Sequence, residues 1–143
     1  MKSVLDETNI TLNCVFANKA EAIKTAGQIL VDNGYVSEEY IGDMLKREEI
    51  VTTYVGNHVA IPHGTSESAE KINYSGISIV QVPEGVPFDD ELAYIVIGIA
   101  GKNNEHLDIL SKIAHVCLDE DNIKFMKNAK TKKEIVDLFR EQL

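Results

Sequence analysis

The sequence predicts an α/β sandwich: a single domain over residues 1–143, built on a mixed sheet of about five strands flanked by helices. Extended, β-branched or alternating runs at 51–62, 73–82 and 93–100 are interleaved with segments whose apolar residues recur at helical spacing. A length of 143 residues suits one domain with a substantial core. No internal repeat, low-complexity tract or long linker divides the chain.

The first dozen residues read as a frayed end leading into a short strand around Ile10-Thr11-Leu12. Asn18 with Glu21 three residues on is a capping-box start. The helix it opens carries Ala22, Ile23, Ala26, Ile29 and Leu30 on one face and ends at Asn33-Gly34. A second helix follows from Ser37, with Glu38 and Glu39 at its positive end and Lys46-Arg47 closing it. Its core face is Tyr40, Ile41, Met44 and Leu45. Residues 51–62 read as extended chain around a Gly56-Asn57 turn. Residues 73–82 form a strand, and Pro83-Glu84-Gly85-Val86-Pro87 reads as a loop. Residues 93–100 are apolar on both faces, as a central strand requires. Asn103-Asn104-Glu105 then launches a helix with Leu107, Leu110, Ile113, Ala114 and Cys117 inside. A short helix near 121–127 and one capped by Thr131 and Glu134 complete the chain.

Charge and composition narrow the function. The net charge is −9, and the acid is concentrated: residues 1–120 carry 8 basic and 19 acidic groups, residues 121–143 carry 6 and 4. Such a surface repels a phosphate backbone, so a nucleic-acid partner is excluded. The longest nearly apolar run, Leu92 to Gly101, is half of what a spanning helix needs, so no direct membrane insertion is expected. The N-terminus turns acidic before a signal h-region forms, and its Met1 and ordinary length suggest a separate polypeptide. Cys14 and Cys117 are far apart and form no C-x-x-C, so they read as reduced thiols of a cytoplasmic protein.

Of the four histidines, His63 has the most suggestive setting, Ile61-Pro62-His63-Gly64-Thr65. Pro62 stiffens the approach, Gly64 removes a Cβ beside the ring, and Thr65 and Ser66 offer N–H groups where a short helix can begin. Those features suit an imidazole that receives a phosphoryl group; residue types alone equally allow a turn histidine that caps the next segment. His106 lies in the first turn of the helix after the buried strand, where open α/β sheets bind ligands, or else it is simply exposed there. Arg47 either complements a helix dipole or supplies a guanidinium for phosphate oxygens. Asn57 serves its turn or orients an imidazole, and His115 reads as packed or half-buried. The His58–His63 spacing matches no metal motif, and no nucleotide-binding loop or nucleophile elbow is present.

Taken together, Arg47, Tyr54-Val55-Gly56-Asn57, Ala60-Ile61-Pro62-His63-Gly64-Thr65, Pro83-Glu84-Gly85-Val86, Gly98-Ile99-Ala100 and Asn103-Asn104-Glu105-His106-Leu107 resemble the enzyme IIA components of the bacterial sugar phosphotransferase system. The resemblance runs from Ile10 to Phe139. The Ile-Pro-His-Gly block and the late histidine are those of the mannitol–fructose superfamily; the Pro-Glu-Gly-Val and Asn-Asn-Glu-His runs look most like its mannitol branch. The resemblance implies that the phosphocarrier HPr phosphorylates His63, and that the group passes to a cysteine of a mannitol-type enzyme IIB. That partner then phosphorylates the sugar as the membrane enzyme IIC transports it. The resemblance also implies that His106 is the second, non-phosphorylated histidine and Arg47 the active-site arginine. Asn57 stands where some members carry glutamate, and His58 replaces an expected small residue. A fructose carrier, or a nitrogen-type regulatory member that passes nothing to a sugar, is the alternative.

The resemblance further implies that no cofactor or metal is needed, because the donor already carries its phosphoryl group on a histidine. One imidazole nitrogen is the nucleophile, and a backbone carbonyl holds the other. Arg47, His106 and the Gly64 and Thr65 N–H groups are then expected to share the phosphoryl oxygens.

Overall fold

The computed structural model describes residues 2–142. Five strands, β1 (Ile10–Thr11), β2 (Tyr54–Gly56), β3 (Val59–Ala60), β4 (Gly76–Phe88) and β5 (Glu91–Ala100), form one sheet in the order β1-β4-β5-β3-β2. β1 is parallel to β4 and β3 to β5, whereas β4–β5 and β2–β3 are antiparallel, so the sheet is mixed as expected.

Alternation along the two long strands creates two cores. Ile77 and Ile79 of β4 and Ile95, Ile97 and Ile99 of β5 point to one face. There they meet α3 (Glu105–Cys117), α4 (Glu120–Asn128) and α5 (Lys132–Arg140). Val80, Val82, Val96 and Ala100 point the other way, onto α1 (Lys19–Asp32) and α2 (Glu39–Ile50). Buried polar groups in this sheet are satisfied: Ser78 Oγ donates to the Ala26 carbonyl at 2.7 Å, and the Gln81 amide donates to the carbonyls of Met126 and Ala129.

Two helix caps follow the sequence, whereas α2 starts after Glu38 and α3 after Asn104 with no side-chain cap. Asn18 accepts from the Glu21 N–H, and Thr131 with Glu134 forms a complete capping box, each cap contributing about 1 kcal/mol. Gly34 takes φ +82° just after the Asn33 cap, a conformation that disfavours any Cβ.

Four expectations need correction. The N-terminus is tied down: Val4 and Leu5 pack against the core, and buried Asn9 donates to Tyr35 Oη and the Ile77 carbonyl. Residues Pro83–Pro87 belong to β4, because Val86 and Phe88 are buried and pair with Ala93 and Glu91. An irregularity between Gln81 and Val86, with Gly85 at φ +85°, absorbs the prolines, and the real turn is Asp89-Asp90. The second helix runs past Arg47 to Ile50. In α3 the core stripe is Ile109, Ile113, Val116 and Cys117; Leu107 is 74% exposed, and Ala114 and His115 are exposed as well.

Candidate functional site

The site lies beyond the carboxyl ends of the parallel pair β3–β5, where open α/β sheets bind ligands. His63 continues β3 alongside Ile99, whose N–H donates to the Pro62 carbonyl at 2.9 Å. Proline at this position loses no needed donor, since only its carbonyl is used. His63, Gly64, Thr65, Arg47 and His106 line one cleft of about 340 Å³, together with Tyr40, Ser66, Gly101 and Asn103.

His63 Nδ1–H donates to the Gly64 carbonyl at 2.9 Å. A carbonyl only accepts, so the proton resides on Nδ1 and the lone pair on Nε2. The His106 ring meets the His63 ring edge to face, with centroids 4.9 Å apart. Partial burial pushes the His63 imidazole below its ordinary range; the Gly64 carbonyl opposes this, while His106 and Arg47 reinforce it. Burial lowers His106 as well. Both rings therefore favour the neutral form, and Arg47 supplies positive charge.

Each side chain has a local cause for its place. Tyr40, Asp43 and Arg47 share the i, i+3, i+7 stripe of α2. Arg47 Nη1 donates to the Val51 carbonyl at 2.7 Å, so the guanidinium also caps the helix end. His106 lies on the Ile109–Ile113 stripe of α3 and so points inward. Gly101 permits this approach: a Cβ there would lie 2.5 Å from His106 Cα and 2.7 Å from its backbone N. Gly64 is similarly required, since a Cβ would come within 2.6 Å of the Tyr40 ring.

The backbone N–H groups of Gly64 and Thr65 are not offered to a ligand, contrary to expectation. Gly64 N–H donates to Tyr40 Oη and Thr65 N–H to Ser68 Oγ, both at 2.9 Å. No helix starts at Thr65; the chain turns there and forms a 3-10 turn at Ala69–Lys71. Gly64 instead orients His63 through its carbonyl.

Asn57 is outside the cleft. Its amide donates to the Cys117 carbonyl at 2.7 Å, and its φ of +51° marks a residue chosen for the β2–β3 turn. His58 is beside it, at the opposite end of β3 from His63.

Sequence reasoning missed Tyr40, Glu48 and Gly101. Tyr40 was read only as core, yet its hydroxyl accepts from Gly64 N–H and donates to the Ile99 carbonyl at 2.7 Å. Burial pushes this hydroxyl up to about 12, so it stays protonated. Buried Glu48 accepts from both the N–H and the hydroxyl of Thr53, tying α2 to the segment that leads into β2. Its i+4 spacing from Met44 was the available signal. Among the described residues no cluster of His, Cys, Asp or Glu is arranged to hold a metal.

A family model described as "Phosphoenolpyruvate-dependent sugar phosphotransferase system, EIIA 2" matches residues 3–142. The mannitol-specific phosphotransferase enzyme IIA component of Bacillus subtilis is 52% identical, over 96% of this chain and 97% of that protein. Its counterpart from Staphylococcus aureus is 45% identical, over 99% and 98%. Among solved structures, Escherichia coli mannitol enzyme IIA in complex with phosphorylated mannitol enzyme IIB superposes with a TM-score of 0.91. That pair is 38% identical over 96% of this chain and 97% of the other. The crystal structure of Escherichia coli mannitol IIA matches with a TM-score of 0.89, at 39% identity over 94% and 98%.

Proposed function

The chain belongs to the EIIA 2 family of the phosphoenolpyruvate-dependent sugar phosphotransferase system and is a phosphotransferase component; from that premise we propose that it is the phosphoryl carrier for mannitol uptake. It accepts the group from phospho-HPr on His63 and passes it to a cysteine of a mannitol-type enzyme IIB. Relatives that are 52% and 45% identical carry the mannitol-specific name, and an enzyme IIA 38% identical to this chain is solved bound to phosphorylated mannitol enzyme IIB. The chain acts as one domain over residues 1–143 in the cytoplasm. No helix among the described residues is long and apolar enough to cross a membrane, which fits that placement.

The observation that carries the reading is the His63 imidazole, with Nδ1–H held by Gly64 O and Nε2 left as the nucleophile beside Arg47 and His106. The Nε2 lone pair attacks phosphorus as the donor P–N bond breaks and its electron pair returns to the donor ring. No proton has to move, because Nδ1–H is retained throughout. Arg47 offsets the phosphoryl charge and His106 donates a hydrogen bond to a phosphoryl oxygen, which is the positioning and charge neutralisation that phosphoryl transfer requires. Transfer to the enzyme IIB thiolate reverses the step, with the P–N bond to His63 breaking as the P–S bond forms.

Purified chain incubated with enzyme I, HPr and phosphoenolpyruvate is expected to take one phosphoryl group. A mannitol-type enzyme IIB is expected to discharge it and pass it to mannitol. Discharge by a fructose-type enzyme IIB alone would change the sugar. A phosphorylated protein that no enzyme IIB discharges would favour the regulatory alternative.

A further inference from the structure

Behind His63 lies a chain of hydrogen bonds that the transfer reaction itself does not name. The Gly64 carbonyl and the Thr65 N–H are the two ends of one peptide group. The carbonyl end receives His63 Nδ1–H at 2.9 Å. The N–H end donates to Ser68 Oγ at 2.9 Å. Ser68 is buried, and its hydroxyl donates to Asp43 Oδ2 at 2.7 Å. Buried Asp43 receives Lys71 Nζ on the same oxygen, also at 2.7 Å. One peptide earlier, Gly64 N–H is held by Tyr40 Oη. Successive peptide groups are thus pinned to α2, and only one of them faces the imidazole.

We propose that Ser68 and Asp43 are positioning residues for His63, acting through the Gly64–Thr65 peptide as a carboxylate–hydroxyl–peptide relay that fixes the ring tautomer and strengthens its Nδ1–H bond. The inference rests on the reading of His63 as phosphoryl acceptor. Rotation of this peptide would swing the carbonyl away from Nδ1, so pinning its N–H end fixes the acceptor. The links also polarise one another. A hydroxyl that donates to a carboxylate is a better acceptor; its pull on the Thr65 N–H places more negative charge on Gly64 O. When Nε2 takes the phosphoryl group, the ring gains positive charge while keeping Nδ1–H. A more negative Gly64 O stabilises that ring more than it stabilises the neutral one, so the relay favours the transition state over the ground state. An Asp–His pair achieves the same in hydrolytic triads; here the carboxylate works at a distance, through a hydroxyl and a peptide. The arrangement also explains the presence of a buried acid, Asp43, on the helix face that looks toward a phosphoryl site. Asp43 contributes orientation without lining the cleft, and its charge is paired with Lys71.

Ser68→Ala removes the acceptor of the Thr65 N–H. The His63 ring is expected to change from a single Nδ1–H tautomer to a mixture, seen in the ¹⁵N spectrum of the imidazole. The kcat for phosphoryl transfer is expected to fall about tenfold, with the KM for phospho-HPr unchanged. Ser68→Thr keeps the hydroxyl and restores both readouts. Asp43→Asn keeps an acceptor but removes the charge; it is expected to keep the tautomer and lose a smaller part of kcat. If Ser68→Ala is folded and keeps both the single tautomer and the rate, the relay is overturned. A fall in rate with an unchanged tautomer overturns it as well. If Ser68→Ala does not fold, Asp43→Asn at full wild-type kcat refutes the relay. The ¹⁵N spectrum needs no phosphoryl donor, so a wild-type protein that takes no label would refute the carrier reading while leaving the tautomer test standing.

Discussion

The molecule contains two histidines with similar ring contacts and different surroundings. His58 and His63 flank β3, one before it and one after. Each donates Nδ1–H to a backbone carbonyl at 2.9 Å, His58 to Leu92 and His63 to Gly64. Each has a ring neighbour at nearly equal distance, Tyr94 at 4.8 Å and His106 at 4.9 Å. A fixed tautomer alone therefore does not set His63 apart from His58. His58 is exposed beside Lys124 and Lys127, and Lys127 sits 3.9 Å from the Tyr94 ring centroid. His63 is half-buried in a cleft with a guanidinium and a second imidazole. Desolvation favours its neutral ring, and Arg47 lines the same cleft.

The largest effect separates the two directly. His63→Ala is expected to abolish labelling by phospho-HPr, and His58→Ala to leave it intact, both read by intact mass. Label on any other residue of the His63→Ala protein would overturn the assignment. Next, Arg47→Gln removes the guanidinium and is expected to slow acceptance by about 10²–10³-fold. The same substitution takes away a charge that disfavours imidazolium, so the His63 titration followed by NMR is expected to move upward. His106→Ala is expected to accept the group but pass it to enzyme IIB about tenfold more slowly, for want of one hydrogen bond to the phosphoryl oxygens. Normal turnover in that variant would make His106 structural.

The smallest effect is in pH. A lowered pKa leaves His63 less protonated at any given pH. Single-turnover acceptance is therefore expected to hold as pH falls through about 6.5, the ordinary imidazole value, and to decline only below it. The linked stability has the same sign. The unfolded chain binds the His63 proton first, so stability falls as pH drops from the unfolded value toward the folded one. A His63 titration at or above the ordinary value would remove desolvation from the account.

How much of this was legible in the sequence follows from the range of each signal. Local signals translated well: the Asn18 and Thr131 caps, the Asn33-Gly34 stop, and the two-faced β5 run all depend on neighbours within a few residues. Proline misled at Pro83–Pro87, because burial of Val86 and Phe88 and a two-residue turn at Asp89-Asp90 overrode its breaking tendency. In α3 the reading was right at Ile113 and Cys117 and wrong at Leu107 and Ala114, which are also apolar, so only packing decides between them. His63, His106 and Arg47 were named from residue type and motif, and the fold brings the three into one cleft. For Asn57 the turn reading holds over the imidazole-orienting one, because no local pattern reports that Asn57 and His63 stand at opposite ends of β3. Tyr40 and Asp43 reach this segment through contacts 24 and 25 residues apart, which no local pattern reports, whereas the Thr65–Ser68 contact spans only three residues.

The central claim is that His63 Nε2 carries the phosphoryl group. Uniformly ¹⁵N-labelled protein phosphorylated by phospho-HPr and observed by ³¹P–¹⁵N correlation tests it most directly. The account predicts one phosphohistidine at His63, bonded through Nε2 with Nδ1–H retained. A phosphoryl group on Nδ1, or on His58 or His106, would contradict it.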